Sequence, residues 1–381
     1  MKNDMLIEKG FEYVAKGYKP LCATMNGLLA YHKYALYLYN DNAFVKLLEL
    51  PASIKNRVLS CHRILERMAR SEPQSAILCD NTVFVARRHE VLQISLKDGS
   101  VIDKHSFRKS YIHTNRLSMI ENINDFSDCV AYGEYQPNVK REEVYIWRKK
   151  TRGTNDWECV YTFKGGQIRH IHALIPDKLH GCVYILTGDE DKESGIWKAT
   201  DDFKKVEPLL VGDQAYRSCI AYVDGEELCY STDIPSRQNT ITRVDLNTMQ
   251  TEALYDLPGS STVGCRCGKY TIFCTSVETE EPKTRRKKDM IRYLLGQKLP
   301  AGIKDRFPRV YVYSRDNKIV EWLKFEKDIW PAGLFRFGRA IPLYDEFRGR
   351  LYLYPGAVKK YDGKLYFINI GDIYESVIGI K

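Results

Sequence analysis

What this chain of 381 residues lacks narrows it first. No run of about 18 apolar residues occurs, so nothing in it reads as a membrane-spanning helix. The opening stretch "MKNDMLIEKGFEYVAKGYKP" has no apolar segment of the kind a secretory leader needs. Together these absences predict a soluble protein that is not secreted by the usual route, with the cytoplasm as its location. The 11 cysteines are odd in number and scattered through strand-like segments such as "LSCHR" and "AILCD". That pattern predicts free, buried thiols in a reducing compartment and no disulfide framework. Cys265 and Cys267 are spaced C-x-C with no second pair to complete a zinc site, so no structural metal is expected there. No nucleic-acid-binding motif is recognisable, and no nucleic acid is expected as a partner.

What is present suits a large core. Hydrophobic residues make up 44% of the chain, and aromatics 12%, with 26 tyrosines among them. Tyrosine serves strand faces and sugar-contacting surfaces alike. The formal charge of +9 favours an acidic partner: an anionic glycan, nucleic acid or a lipid surface.

Alternation is the main signal. "SAILCDNTVFVARRHEVLQISLKDGSVIDKHSF" breaks into four short runs parted by turns at Asp80-Asn81, His89-Glu90 and Asp98-Gly99. Strands this short and this evenly spaced indicate an all-β sandwich, barrel or propeller. The pattern recurs in units 20–50, 74–107, 116–163, 168–211, 215–257, 261–325 and 335–380, each with three or four strands. A four-stranded meander repeating at roughly 40–50 residues predicts a β-propeller. The last unit is one strand short, and "FEYVAKG" is expected to complete it. The expectation is one β-propeller domain over 1–381 with seven blades, or six if the two ends merge. A basic loop or helix is inserted at about 278–307. "SIKNRVLSCHRILERMARSEP" reads as a short helix or an irregular approach to the second blade.

Three phrases then carry a family resemblance: "YGEYQPNVKREEVYIWRKKTRGTNDWECVYTF", "IRHIHALIPDKLHGCVYILTGDEDKESGIWKATDDFKKV" and the opening stretch. Over residues of about 115–260 the chain resembles the Asp-box, sialidase-like propellers. The box itself is degenerate, as "TDDFKKVE" at 200–207 and the isolated Trp157 of "TNDW", and no Arg-Ile-Pro phrase precedes these blades. The resemblance implies a propeller and a carbohydrate context.

Blade geometry predicts where polar residues meet. The connections between second and third strands carry "GEYQPNVKREE", "TGDEDKESG" and "STDIPSRQNT"; the approaches to innermost strands carry "HTNRL", "QIRHIH" and "QAYRS". All six are expected to ring one mouth of a central channel, a usual place for a ligand pocket. Arg116, Arg169 and Arg217 begin three successive innermost strands, and their forked donors suit a carboxylate, sulfate or phosphate. The alternative is local pairing with Glu134, Asp189 or Asp233. His170 and His172 are expected to face opposite sides of their strand, so that at most one points inward, as a general base or a metal ligand. No further spaced ligand set accompanies them, and no metal or cofactor is expected.

Glu134 and Tyr135 suit a carboxylate-activated phenol nucleophile, but chain neighbours on a strand point apart, so only one enters the pocket. Asp189 and Asp233 are candidate general acids, while Asp191 reads as a loop brace. Arg237 and Asn239 either touch ligand or brace their loop. Trp330, Phe335, Arg336 and Arg339 form either a sugar platform or packing between the last blades.

The leading expectation is a propeller that binds an anionic glycan or sugar conjugate and cleaves it as a hydrolase or lyase. Arg169, Arg217, His172, Glu134 and Asp233 would carry that chemistry. The alternative is a non-catalytic recognition propeller that docks on an acidic partner or a membrane surface through residues 283–298.

Overall fold

The computed structural model describes residues 4–153, 156–280, 282, 286–314, 316 and 318–378. Strand β1 (Glu12–Lys16) precedes a succession of four-stranded meanders. The first two are β2–β5 (Lys19–Thr24, Gly27–His32, Ala35–Tyr39, Phe44–Glu49) and β6–β9 (Ser75–Cys79, Thr82–Arg87, Glu90–Ser95, Val101–Ser106). Next come β10–β13 (Ser118–Ile120, Cys129–Gly133, Val144–Lys150, Glu158–Phe163) and β14–β17 (His170–Asp177, Cys182–Gly188, Gly195–Thr200, Lys205–Val211). They are followed by β18–β21 (Ser218–Asp224, Glu227–Thr232, Asn239–Asp245, Thr251–Leu257) and β22–β25 (Ser261–Cys267, Tyr270–Thr275, Arg309–Ser314, Ile319–Lys324). A last meander of three, β26–β28 (Arg339–Asp345, Arg350–Gly356, Lys364–Asn369), takes β1 as its fourth strand.

The fold is all-β, a seven-bladed propeller of four-stranded antiparallel sheets. The "FEYVAKG" segment completes the last sheet as expected, with Glu12 opposite Phe367 and Lys16 opposite Lys364. That pairing decides for seven blades over six.

The chain divides into two compact units: Met1–Glu72 with Ile234–Thr240 and Tyr255–Lys381, and Pro73–Asp233 with Ile241–Leu254. In the first, the N-terminal segment is held by burial. Leu6 and Phe11 are almost fully buried, and Phe11 lies 5.0 Å from Trp322, ring to ring. The "SIKNRVLSCHRILERMARSEP" stretch forms two short helices, α2 (Ile54–Ser60) and α3 (Arg63–Ala69), after α1 (Met5–Glu8). Two basic residues of α3 are internal braces: Arg67 binds Asp328 at 2.6 Å and the Phe335 carbonyl at 2.8 Å, and Arg63 binds Glu72 at 2.6 Å. Arg336 also reaches Glu72, at 3.4 Å, and Trp330 packs 5.1 Å from Phe335. The insertion carries α4 (Lys287–Leu295) between β23 and β24; residues 283–285 of its basic run lie outside the described residues.

In the second unit every residue of β15 is buried, as a middle strand packed on both faces requires. Ile146, Phe163, Ile171 and Ile185 share one core cluster. Each contributes on the order of 1.5–3 kcal/mol by leaving water. The degenerate box "TDDFKKVE" is a tight turn in which Asp201, Asp202 and Phe203 all have positive φ, at 48°, 54° and 68°. Left-handed backbone is unfavourable for such residues, so other contacts must hold it. Asp202 supplies them by accepting from the Ser127 amide and hydroxyl, both at 3.1 Å, and by pairing with Arg148. Trp157 stacks on His105 at 4.7 Å; Thr154 and Asn155 of "TNDW" lie outside the described residues.

Candidate functional site

Three short phrases of the second unit meet in one buried polar cluster. Arg169 stands immediately before β14, Arg217 immediately before β18, and Asp189 immediately after β15. Asp189 lies between the two guanidiniums: Oδ2 is 3.1 Å from Arg169 Nη1, and Oδ1 is 3.1 Å from Arg217 Nη2. Arg217 Nη1 also donates to the Asp189 carbonyl at 2.9 Å, and Gln214 Nε2 donates to the same oxygen at 2.7 Å. Asp233 takes Arg217 Nη2 at 3.3 Å, and the Cys219 thiol lies 3.5 Å from it. The local pairing foreseen for Arg169 and Arg217 is therefore present.

The histidines overturn an expectation. They do not face opposite sides of β14: their Nε2 atoms are 3.0 Å apart, and each is 3.2 Å from Asp189 Oδ1. Residues two apart on a strand share a face. In addition, the register shifts between Ile171 and Ala173, leaving His172 without a partner across the ladder. Both rings are almost fully buried. His170 Nδ1 is 2.7 Å from the Gln136 carbonyl and His172 Nδ1 is 2.8 Å from the Ser218 carbonyl. A carbonyl oxygen only accepts, so both Nδ1 atoms carry hydrogen and, in the neutral rings, both Nε2 lone pairs point at each other and at Asp189.

Glycine makes the room. A Cβ at Gly188 would stand 2.8 Å from His172 Cε1 and 3.2 Å from Arg217 Cγ, so a larger residue would push both side chains away. Gly133, at the end of β11, has its missing Cβ 2.3 Å from Ile171 Cγ2, which lets β14 approach closely enough for the Ile171 amide to reach the Glu134 carbonyl at 2.9 Å.

Of the Glu134–Tyr135 pair, only Tyr135 enters the cluster, its ring stacked 4.0 Å from His170. Glu134 turns away and is saturated by Arg108 at 2.8 and 3.0 Å, Trp147 Nε1 at 3.2 Å and the Tyr145 amide at 3.3 Å. No carboxylate-activated phenol is assembled from these two. Burial, and Asp189 after it, push the Tyr135 phenol well above its usual value, so it holds its proton. The Cys219 thiol is raised likewise by burial and by Asp233. Burial alone would raise Asp189, but His170 and Arg217 outweigh it and hold the carboxyl well below its usual range. Asp189 is thus a poor general acid.

The remaining expected residues lie apart from these contacts. Arg116 is half-buried two residues before β10, and its guanidinium has no partner among the described residues; its carbonyl accepts from Thr114 at 3.0 Å. Asn239, in the first unit, is a brace: its side chain accepts from the Ile234 amide at 2.7 Å and donates to the Ile234 and Gly302 carbonyls at 2.7 and 3.2 Å. Arg237, in the same loop, is exposed. Asp191 lies in a short 3-10 turn, Asp191–Glu193. Sequence reasoning missed the backbone carbonyls of Gln136 and Ser218, which fix the two rings, and the Cys219 thiol. It also missed Asn138, whose amide donates to the Arg169 carbonyl at 2.8 Å. Carbonyl acceptors leave no trace in residue identity, whereas "QPN" after "GEY" was a polar signal available to read.

No family model matches the sequence, and no curated protein is significantly similar to it. Solved structures share the fold. An oligogalacturonate lyase in complex with manganese is similar at TM-score 0.55 and 10% identity, over 94% of this chain and 89% of that one. The extracellular domain of the one-component system BT4673 from B. thetaiotaomicron is similar at TM-score 0.55 and 10% identity. That match covers 93% of this chain, which spans only 39% of the other. The AfRom2 CNH domain follows at TM-score 0.52 and 6% identity, over 94% and 97% of the two chains. At these identities the likeness is one of fold.

Proposed function

We propose that this propeller binds an acidic carbohydrate through the arginines that open three successive blades, acting in the cytoplasm. The observation that carries the reading is the donor supply at those positions. Arg116 has no side-chain partner among the described residues. Among the described residues Arg169 uses only Nε, to the Pro137 carbonyl at 2.8 Å, and Nη1, to Asp189. The Arg169, Asp189 and Arg217 side chains are 16%, 15% and 13% exposed, so the edge of the cluster reaches solvent while the histidines lie beneath it. Forked guanidiniums suit the carboxylate of a uronic or sialic acid. The fold neighbour named for oligogalacturonate is consistent with such a ligand, and 11 cysteines outside any disulfide are consistent with a reducing compartment.

Cleavage, where it accompanies binding, is proposed to be elimination and not hydrolysis. Hydrolysis needs a carboxylic acid that holds a proton beside a second carboxylate. Here Asp189 is kept ionised and Asp233 is paired with Arg217. Elimination needs the substrate carboxylate neutralised while a base takes the proton from the adjacent carbon, a carbon–carbon double bond forms, and the glycosidic oxygen leaves with its electron pair and is protonated. The test is a panel of acidic and neutral oligosaccharides, read by calorimetry for binding and by the ultraviolet absorbance of an unsaturated uronate for cleavage. Acidic ligands bind, and Arg169→Ala weakens them at least tenfold; equal binding of neutral sugars contradicts the reading.

A second reading rests on α4, which has no buried residue, exposes Ile291 by 48% and Leu295 by 59%, and carries Lys287, Lys288 and Arg292. Such a face suits an anionic membrane surface. Cosedimentation with phosphatidylserine vesicles, lost on changing those three basic residues to Glu and on raising salt, supports it; unchanged cosedimentation removes it.

A further inference from the structure

The meeting of His170 Nε2, His172 Nε2 and Asp189 Oδ1 has an electrostatic problem in the chain by itself. Two lone pairs and a carboxylate oxygen point at one another across 3.0–3.2 Å, with both Nδ1 hydrogens already given to backbone carbonyls. Something positive must lie among them, either a proton on one Nε2 or a metal ion. We propose that these three atoms are one face of a coordination site for a divalent first-row transition-metal ion.

The spacing fits the ion. Three cis ligands each about 2.1 Å from an octahedral metal lie about 3.0 Å apart, which is the triangle seen here. Two imidazoles and one carboxylate on one face, with the other positions open, is a recognised donor set for such ions, and two nitrogens disfavour Mg2+ and Ca2+. The outer contacts are those that metal-bound histidines need, because each Nδ1–H is anchored on a carbonyl and fixes its ring with Nε2 facing inward. A second observation lies next to the rings. Gln136, whose carbonyl anchors His170, is 0% exposed, and neither its side-chain oxygen nor its nitrogen has a partner among the described residues.

The two guanidiniums on Asp189 oppose a cation, and the geometry offers a way to accommodate them. Arg169 keeps Oδ2, and Arg217 keeps Asp233 and the Asp189 carbonyl; only the Arg217 contact to Oδ1 must yield. The dication and two arginines against Asp189 and Asp233 leave two positive charges, which favours an anionic ligand at the open positions. An imidazole bound through Nε2 has no lone pair for a proton, so with the ion in place His172 would be a ligand and not the general base expected for it. The assignment rests on the cluster alone and not on the saccharide reading.

The test uses the full chain, stripped with chelator and dialysed against Mn2+, Co2+ or Zn2+. The expected result is one ion retained per chain, a rise of several degrees in Tm, and loss of both in His172→Ala with circular dichroism unchanged. Should that variant fail to fold, imidazole nitrogen shifts of the wild-type protein decide. With metal, both rings are expected as Nδ1–H with Nε2 metal-bound. No retained metal, together with a protonated Nε2 that added metal does not change, overturns the proposal. Metal retention without saccharide binding removes the carbohydrate reading alone; full saccharide binding by chelated protein leaves the two sites independent.

Discussion

At the scale of single residues, Asp189 is the hub of the second unit's polar cluster. It accepts from two guanidiniums and faces two imidazoles; without the carboxylate Arg169 loses its anionic partner, while Arg217 keeps Asp233. Breaking a buried ion pair from one side costs about 3–5 kcal/mol, because the stranded charge stays out of water. Asp189→Ala is therefore expected to lower the urea unfolding free energy by about that amount, and a change under about 1 kcal/mol would show that the cluster is solvated. Titration gives a second expectation. Burial lowers His170, and burial lowers His105 to about 4, so their neutral rings favour the folded state. That contribution is complete above the unfolded value of about 6.5 and is lost as pH falls toward the folded values. Asp189, depressed in the fold, adds stability above about 3.9 that is lost only at lower pH. Urea midpoints should fall between pH 7 and 4.5, and His105→Gln should flatten the slope while leaving Tyr132 a polar neighbour.

At the scale of elements, the blades were legible and the details of their junctions were not. The units read at 168–211 and 215–257 coincide with β14–β17 and β18–β21, because short alternating runs with turns between them have few other ways to bury one face. The pairing of β1 with β28 was legible for the same reason. The union of His170 with His172 runs against the expectation, since period-two geometry places them together and the register shift lies at His172, between Ile171 and Ala173. In the sequence Asp202 reads only as the relic of a box, yet its bonds to Ser127 and Arg148 hold three left-handed residues. Such cross-blade contacts depend on tertiary placement, which no local pattern encodes. Two substitutions test the element-level account. Phe11→Ala should cost about 3–5 kcal/mol by removing the ring packed on Trp322. Gly188→Ala should cost about 1–3 kcal/mol and disturb the imidazole resonances of His172, because its Cβ would collide with that ring. An unchanged spectrum would mean that β15 and His172 do not pack as described.

At the scale of the whole molecule, a propeller supplies the same scaffold to many chemistries, so function has to be argued from the site. The proposal of an anionic ligand rests on the charge of +9 and on the arginines before β10 and β14, which are unpartnered or half-used among the described residues. The carboxylates that hydrolysis would require are instead committed to arginine. The most direct measurement is calorimetric titration of the wild-type protein and of Arg169→Ala with an acidic oligosaccharide panel and matched neutral sugars. The account predicts saturable binding of an acidic member, at least tenfold weaker in the folded variant and absent for neutral sugars. Acidic and neutral sugars binding alike, or no acidic member binding at all, would contradict it.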